Sequence, residues 1–203
     1  MYICIVINQK YYHMKSLFVV IFSLLVNLVV GQGVSYSTFN SQLLNKKVLI
    51  EINKLRRNRG IDTLVTSNSV YQLFSNPNCI EVSLSGRFYH PPNQERYNNL
   101  SIRSKIISEA KNIYGGESVM LQNGLPKMSL YENAFKSNVD YSSYDELAYR
   151  IVIAWENSEG HKRVQNMEFD SSNLPGVFAC HSVMNQDGTI FVFVDYVKIF
   201  RVE

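Results

Sequence analysis

Five consecutive apolar residues, Ile190-Phe191-Val192-Phe193-Val194, constrain this chain more than any other stretch. They are β-branched or aromatic, which favours an extended conformation. A strand sends successive side chains to opposite faces, so one that is apolar at every position must be covered on both. The run belongs to a hairpin. Gly176 to Val183 and Thr189 to Phe200 share the same enrichment in Val, Ile, Phe and Tyr, and Asn185-Gln186-Asp187-Gly188 between them is a turn.

The covering layers are helical. Ser143 and Glu146 have the Ser-x-x-Glu spacing of a capping box, in which each side chain accepts a backbone N–H left over by the first turn. Leu147, Ile151, Ala154 and Trp155 then line one helical face. Asn157, Ser158 and Gly160 end that helix and place His161 in a turn just beyond it. Leu44 to Leu55 forms a first helix, with Leu44, Val48, Ile52 and Leu55 aligned and Gly60 as its stop. Val65 to Phe88 is a second helical region, broken at Asn76-Pro77-Asn78 because proline donates no hydrogen bond. Asn76 is expected to cap a new segment that ends at Gly86 and delivers Phe88-Tyr89-His90. Ser101 to Ile113 is a third helix, and Gln122 to Ser142 reads as a polar, irregular stretch. Helices with a sheet buried on both sides predict an α/β fold, a three-layer α/β/α sandwich around a largely antiparallel sheet.

Met14-Lys15-Ser16, the apolar run Leu17 to Val30 and then Gly31-Gln32-Gly33 have the three parts of a secretory signal. The run is shorter than the roughly 20 residues that span a bilayer. Residues 1–31 are therefore read as a signal, 32–43 as a short linker and 44–203 as one domain. Met14 offers an alternative start, and an uncleaved anchor beginning at Met1 is the competing reading. The expected location is extracellular. Removing Lys10 and Lys15 takes the net charge of +3 close to zero, which leaves no basic patch for nucleic acid. Arg56, Arg57 and Arg59 fall in the last turn of the first helix, where positive charge offsets the helix dipole. In an oxidising compartment Cys79 and Cys180 are expected to form one disulfide, with two free buried thiols as the alternative. Asn99-Leu100-Ser101 is a glycosylation sequon.

Five segments in a fixed order carry a resemblance. They are Ile50-Glu51-Ile52-Asn53-Lys54-Leu55-Arg56 with Gly60 and Leu64; Phe88-Tyr89-His90; Gly115-Gly116-Glu117-Ser118; Trp155 to His161; and Pro175-Gly176-Val177. Together, over roughly Leu44 to Val202, the chain resembles the CAP superfamily of cysteine-rich secretory, antigen 5 and pathogenesis-related 1 proteins, and within it the bacterial SCP-like extracellular branch. The resemblance implies an α/β/α sandwich with a cleft lined by two His and, in many members, two Glu, where divalent metals such as zinc bind. It implies that His90 is the first His and His161 the second. Glu117 is then the Glu of a Gly-Glu-Asn motif, with Ser118 replacing the Asn. The second Glu is expected three residues after the Trp, and here that position is Ser158. Glu156 and Glu159 lie beside it in a different helical phase, so the fourth ligand stays open.

Two neutral imidazoles and a carboxylate can hold Zn²⁺ at about 2.0–2.2 Å and leave a fourth position for water. Such water can ionise near neutral pH and attack a carbonyl. Without metal, His161 beside Glu117 is an acid/base pair with no Ser or Cys nucleophile in a recognisable setting. The resemblance, together with the incomplete catalytic constellation, implies a secreted, non-enzymatic module that binds a small apolar ligand such as a sterol or lipid, or an extracellular protein, with a divalent-metal cleft. A metal-dependent extracellular hydrolase or protease is the alternative. Bland roles compete residue by residue: either His can be a hydrogen-bonded structural residue, His181 reads as a strand residue and Trp155 as core.

Overall fold

The computed structural model describes residues 33–92, 98–114, 121–122, 125–126, 128–138, 140–167 and 176–199, so the signal and the Glu117-Ser118 pair lie outside the described residues. At the centre is a four-stranded sheet made of β1 (Val65–Thr66), β4 (Met128–Ser137), β5 (Val177–Met184) and β6 (Ile190–Ile199), in the spatial order β1-β5-β6-β4. The hairpin of β5 and β6 is antiparallel from Val177↔Val197 to Met184↔Ile190. Gly188, at φ 82, turns the chain between them in a conformation that penalises a Cβ. β4 adds antiparallel to β6, and the short β1 adds parallel to β5. Two further short strands, β2 (Leu121–Gln122) and β3 (Leu125–Pro126), pair with each other.

Helices cover both faces. Phe178, Val192, Val194 and Tyr196 turn to α1 (Ser41–Asn58) and α5 (Tyr144–Glu156), where they meet Leu44, Val48, Ile52, Leu147, Ile151 and Trp155. Val177, Ala179, Phe191, Phe193 and Val197 turn to the other layer, built from α2 (Asn68–Val70), a π-helical turn (Tyr71–Ser75), α3 (Asn76–Ser85) and α4 (Leu100–Tyr114). A last short helix, α6 (Glu159–Asn166), follows α5. The run of five apolar residues in β6 is buried throughout, and the three layers follow from that.

Several local expectations are corrected. Residues 34–43 are not a linker. Val34 N–H donates to Tyr141 O at 2.9 Å, and Asn40 caps α1 by accepting Leu43 N–H at 2.9 Å, which starts the helix at Ser41. Val65 and Thr66 are extended, as suits β-branched residues beside β5, and the helix opens only at Asn68 with Ser67 as its cap. Asn76 is helical and caps nothing, because the π-helical turn ahead of Pro77 leads into α3 without a break. Residues 128–137, read as irregular, form an edge strand whose period was hidden by the polar pair Glu132-Asn133 at its centre.

The expected disulfide is not formed. Cys180 faces α1, where its Sγ lies 3.3 Å from Asn45 Oδ1, whereas Cys79 sits in α3 and points its Sγ at Phe191 O. The sheet separates the two free thiols, and burial pushes both up in pKa.

Candidate functional site

The edge strand β4 organises the site. Its two-residue period sends Glu132 toward α3 and Asn133 toward the α5–α6 layer, so consecutive residues hold groups arriving from opposite layers. Gly86, in the left-handed conformation, ends α3 and turns the chain toward His90. His90 Nδ1 then lies 2.6 Å from Glu132 Oε1, and Asn78 Nδ2 from α3 donates to Glu132 Oε2 at 2.6 Å. The carboxylate is nearly buried and the imidazole half-exposed, at 9% and 53% side-chain exposure.

His161 arrives from the other layer. Ser143 Oγ accepts Glu146 N–H to start α5, while the Glu146 carboxylate reaches back to Ser142 instead of Ser143, so the capping box is displaced by one residue. Trp155 anchors the far end of α5 by donating Nε1–H to Ala134 O of β4 at 2.9 Å. The chain restarts at once as α6, with Ser158 at its N-cap position, so His161 lies in the first turn of a helix and not in a loop. Asn133 Nδ2 fixes that turn by donating to His161 O at 3.0 Å. His161 Nδ1 meets Ser158 Oγ at 2.8 Å, and that hydroxyl makes no bond to the α6 backbone.

The two imidazoles titrate in opposite directions. The hydrogen bond to Glu132 raises His90 above the usual histidine value, although burial opposes it. Burial lowers His161, and the nearby charge of His90 lowers it further. His90 is thus the more readily charged member and His161 the more readily neutral one. Nε2 of each ring has no protein partner among the described residues.

The structure therefore brings His90, His161 and Ser158 to one edge. It assigns Glu156 elsewhere: the carboxylate pairs with Arg59 and Lys162, which hold it low against the burial that would raise it. Arg56 is likewise more than a dipole partner, since its buried guanidinium donates to Asp62 O and Gln165 O and ties α1 to α6. Glu159 is exposed in the first turn of α6. Asn99 accepts Ser101 N–H and Ile102 N–H, so the sequon residue is the cap of α4. His181 meets Tyr71 OH at 2.9 Å on the second face of the sheet.

Sequence reasoning missed Glu132 and Asn133. Both lie in a stretch whose apolar periodicity is broken, so nothing local marked them as partners of the two histidines. Among the described residues no group of three or more His, Cys, Asp or Glu side chains is placed to hold a metal ion.

No family model and no curated protein matches the chain. Among solved structures it is similar to an outer surface protein from Borrelia burgdorferi, at a TM-score of 0.47 and 14% sequence identity, over 85% of this chain and 99% of that chain. Among the described residues no helix is long and apolar enough to cross a membrane.

Proposed function

We propose that the chain is a secreted, non-enzymatic binding domain of the CAP type, whose edge cleft takes a divalent metal such as zinc and holds a small apolar ligand or an extracellular partner. One observation supports the metal most directly. Both histidines have Nδ1 occupied, by Glu132 and by Ser158, and neither Nε2 has a protein partner among the described residues. A carboxylate behind a ligating imidazole fixes its tautomer and makes it a better donor, and Glu132 is so placed behind His90. Two imidazole nitrogens leave further positions to Glu117, which lies outside the described residues, and to water or a ligand group, which suits a binding site that exchanges its contents.

A second reading, an extracellular hydrolase, is favoured by the Ser158 hydroxyl lying within hydrogen-bond reach of neutral His161. Among the described residues no acid orients His161 from Nε2, and the contact spans one turn of helix, where such bonds form for local reasons.

Calorimetric titration of Zn²⁺ into the processed protein separates the readings. Binding at about micromolar strength, lost in His161→Ala and in His90→Ala, is the expected result. Unchanged binding in both variants would remove the metal from the cleft. Ester turnover by the wild type that Ser158→Ala abolishes would instead carry the hydrolase.

A further inference from the structure

At the opposite edge of the sheet from the histidines, the brevity of β1 leaves a second concavity. The chain leaves β5 after Thr66, with Ser67 N–H donating to Phe178 O at 2.8 Å, and turns into α2. That exit opens a cavity of about 370 Å³ between α1 and the start of α2, floored by Phe178, Ala179 and Cys180. The volume lies within the range of small-molecule sites. One wall is the stripe Gln42, Asn45, Lys46 and Leu49 of α1, at helical spacings of three and four.

The polar groups at depth are already satisfied. Asn45 Oδ1 lies within hydrogen-bond distance of Ser182 Oγ and Cys180 Sγ, at 2.9 and 3.3 Å. Tyr71 OH is engaged with His181 Nδ1. Ser67 Oγ donates to Glu109, whose carboxylate also accepts Asn68 N–H and Ser69 N–H and is held low by these bonds although burial works to raise it. What the cavity offers a ligand is therefore the partly buried Leu49 side chain and the Tyr71 ring, because Phe178, Ala179 and Cys180 are buried beneath the floor. The rim offers something else. Gln42, Lys46, Thr66 and Asn68 are exposed there, and Lys46 forms no ion pair among the described residues.

We infer that this cavity binds a small amphipathic monocarboxylate, with its apolar body on Leu49 and the Tyr71 ring and its carboxylate at Lys46. Among the described residues Lys46 is the one cation and no anion lines the cavity, which gives the complementarity for a single negative charge. A phosphate is disfavoured because Glu109 already occupies the backbone N–H groups that open α2. The inference does not rest on the histidine cleft, which lies across the sheet beyond β6, at the edge formed by β4.

The test uses octanoate as probe and 1-octanol as its uncharged counterpart, with the processed protein recovered after expression of the full chain. Saturable octanoate binding should perturb the amide signals of Phe178, Ala179 and Lys46. Lys46→Met should weaken it about fivefold, as expected for a half-exposed ion pair, and 1-octanol should bind correspondingly less well. Thr66→Phe, an exposed substitution that suits a strand, should fill the mouth and abolish binding without loss of fold. Equal affinity for octanoate and octanol, no effect of Lys46→Met, or no saturable binding at millimolar concentration would each overturn the inference.

Discussion

The two faces of the central sheet are built on different plans. The face under α1 and α5 is one continuous apolar cluster that runs from Leu44 to Tyr196. The face under the π-helical turn, α3 and α4 is split into two clusters, one around Phe74, Ile106 and Val197, the other around Cys79, Phe191 and Phe193. What divides them is a polar row. Glu132 and Asp195 stand directly opposite each other in the ladder between β4 and β6, and Ser75 Oγ donates to Asp195 Oδ2 at 2.6 Å while Asn78 holds Glu132. Burying two carboxyl side chains opposite each other in a ladder costs more than burying apolar ones there, so this face accepts a penalty. The continuous face supplies stability, and the divided face carries the candidate chemistry out to His90.

The largest effect should come from breaking the continuous face. Trp155→Ala removes a side chain that is 2% exposed and leaves the Ala134 carbonyl without its donor. A loss of about 3–5 kcal/mol in denaturant unfolding is expected. A loss below about 1 kcal/mol would mean that α5 is not the anchor of this face.

This face was legible in the sequence because apolar periodicity reports burial directly. Leu147, Ile151 and Trp155 recur at helical spacing, and the β6 run has no polar interruption, so the sequence pattern alone specifies both layers. The divided face was not legible for the same reason. Glu132 and Asp195 interrupt the pattern, so β4 read as irregular, and nothing local in Tyr131-Glu132-Asn133 tells that the segment pairs with residues 60 or more positions away. The two histidines were identified by resemblance, whereas their partners Glu132 and Asn133 required the strand register. The cysteines show the same limit: counting them gives a pair, and only alternation along β5 tells that Cys180 faces away from Cys79.

That separation sharpens the comparison into a chemical test. With one thiol on each face and both pushed up by burial, neither is a ready thiolate at neutral pH. The folded protein should react with a thiol reagent at neither Cys79 nor Cys180, and the denatured protein at both, and stability should be the same with and without reductant. Protection that disappears only after reduction would restore the disulfide and require the two faces to be rearranged around it.

The smallest effect is the pH dependence, and it separates the two histidines most cleanly. His90 is raised by its bond to Glu132, so the folded state holds that proton more tightly than the unfolded chain does. Its contribution is complete below about 6.5, the ordinary histidine value, and fades as pH rises through the higher folded value. His161 is lowered by burial and by His90, so the unfolded chain is the better proton acceptor. Its unprotonated form contributes fully above about 6.5, and stability falls as pH drops through that value toward the lower folded one. Between about pH 5 and 8 the two slopes oppose each other. His90→Ala should remove the decline on the alkaline side, His161→Ala the decline on the acid side, and Glu132→Gln should act like His90→Ala while leaving the imidazole in place. Chemical denaturation midpoints across that range read all three. Parallel profiles for the two histidine variants would show that the imidazoles do not sense different faces of the sheet, and the assignment of Glu132 to His90 alone would have to be abandoned.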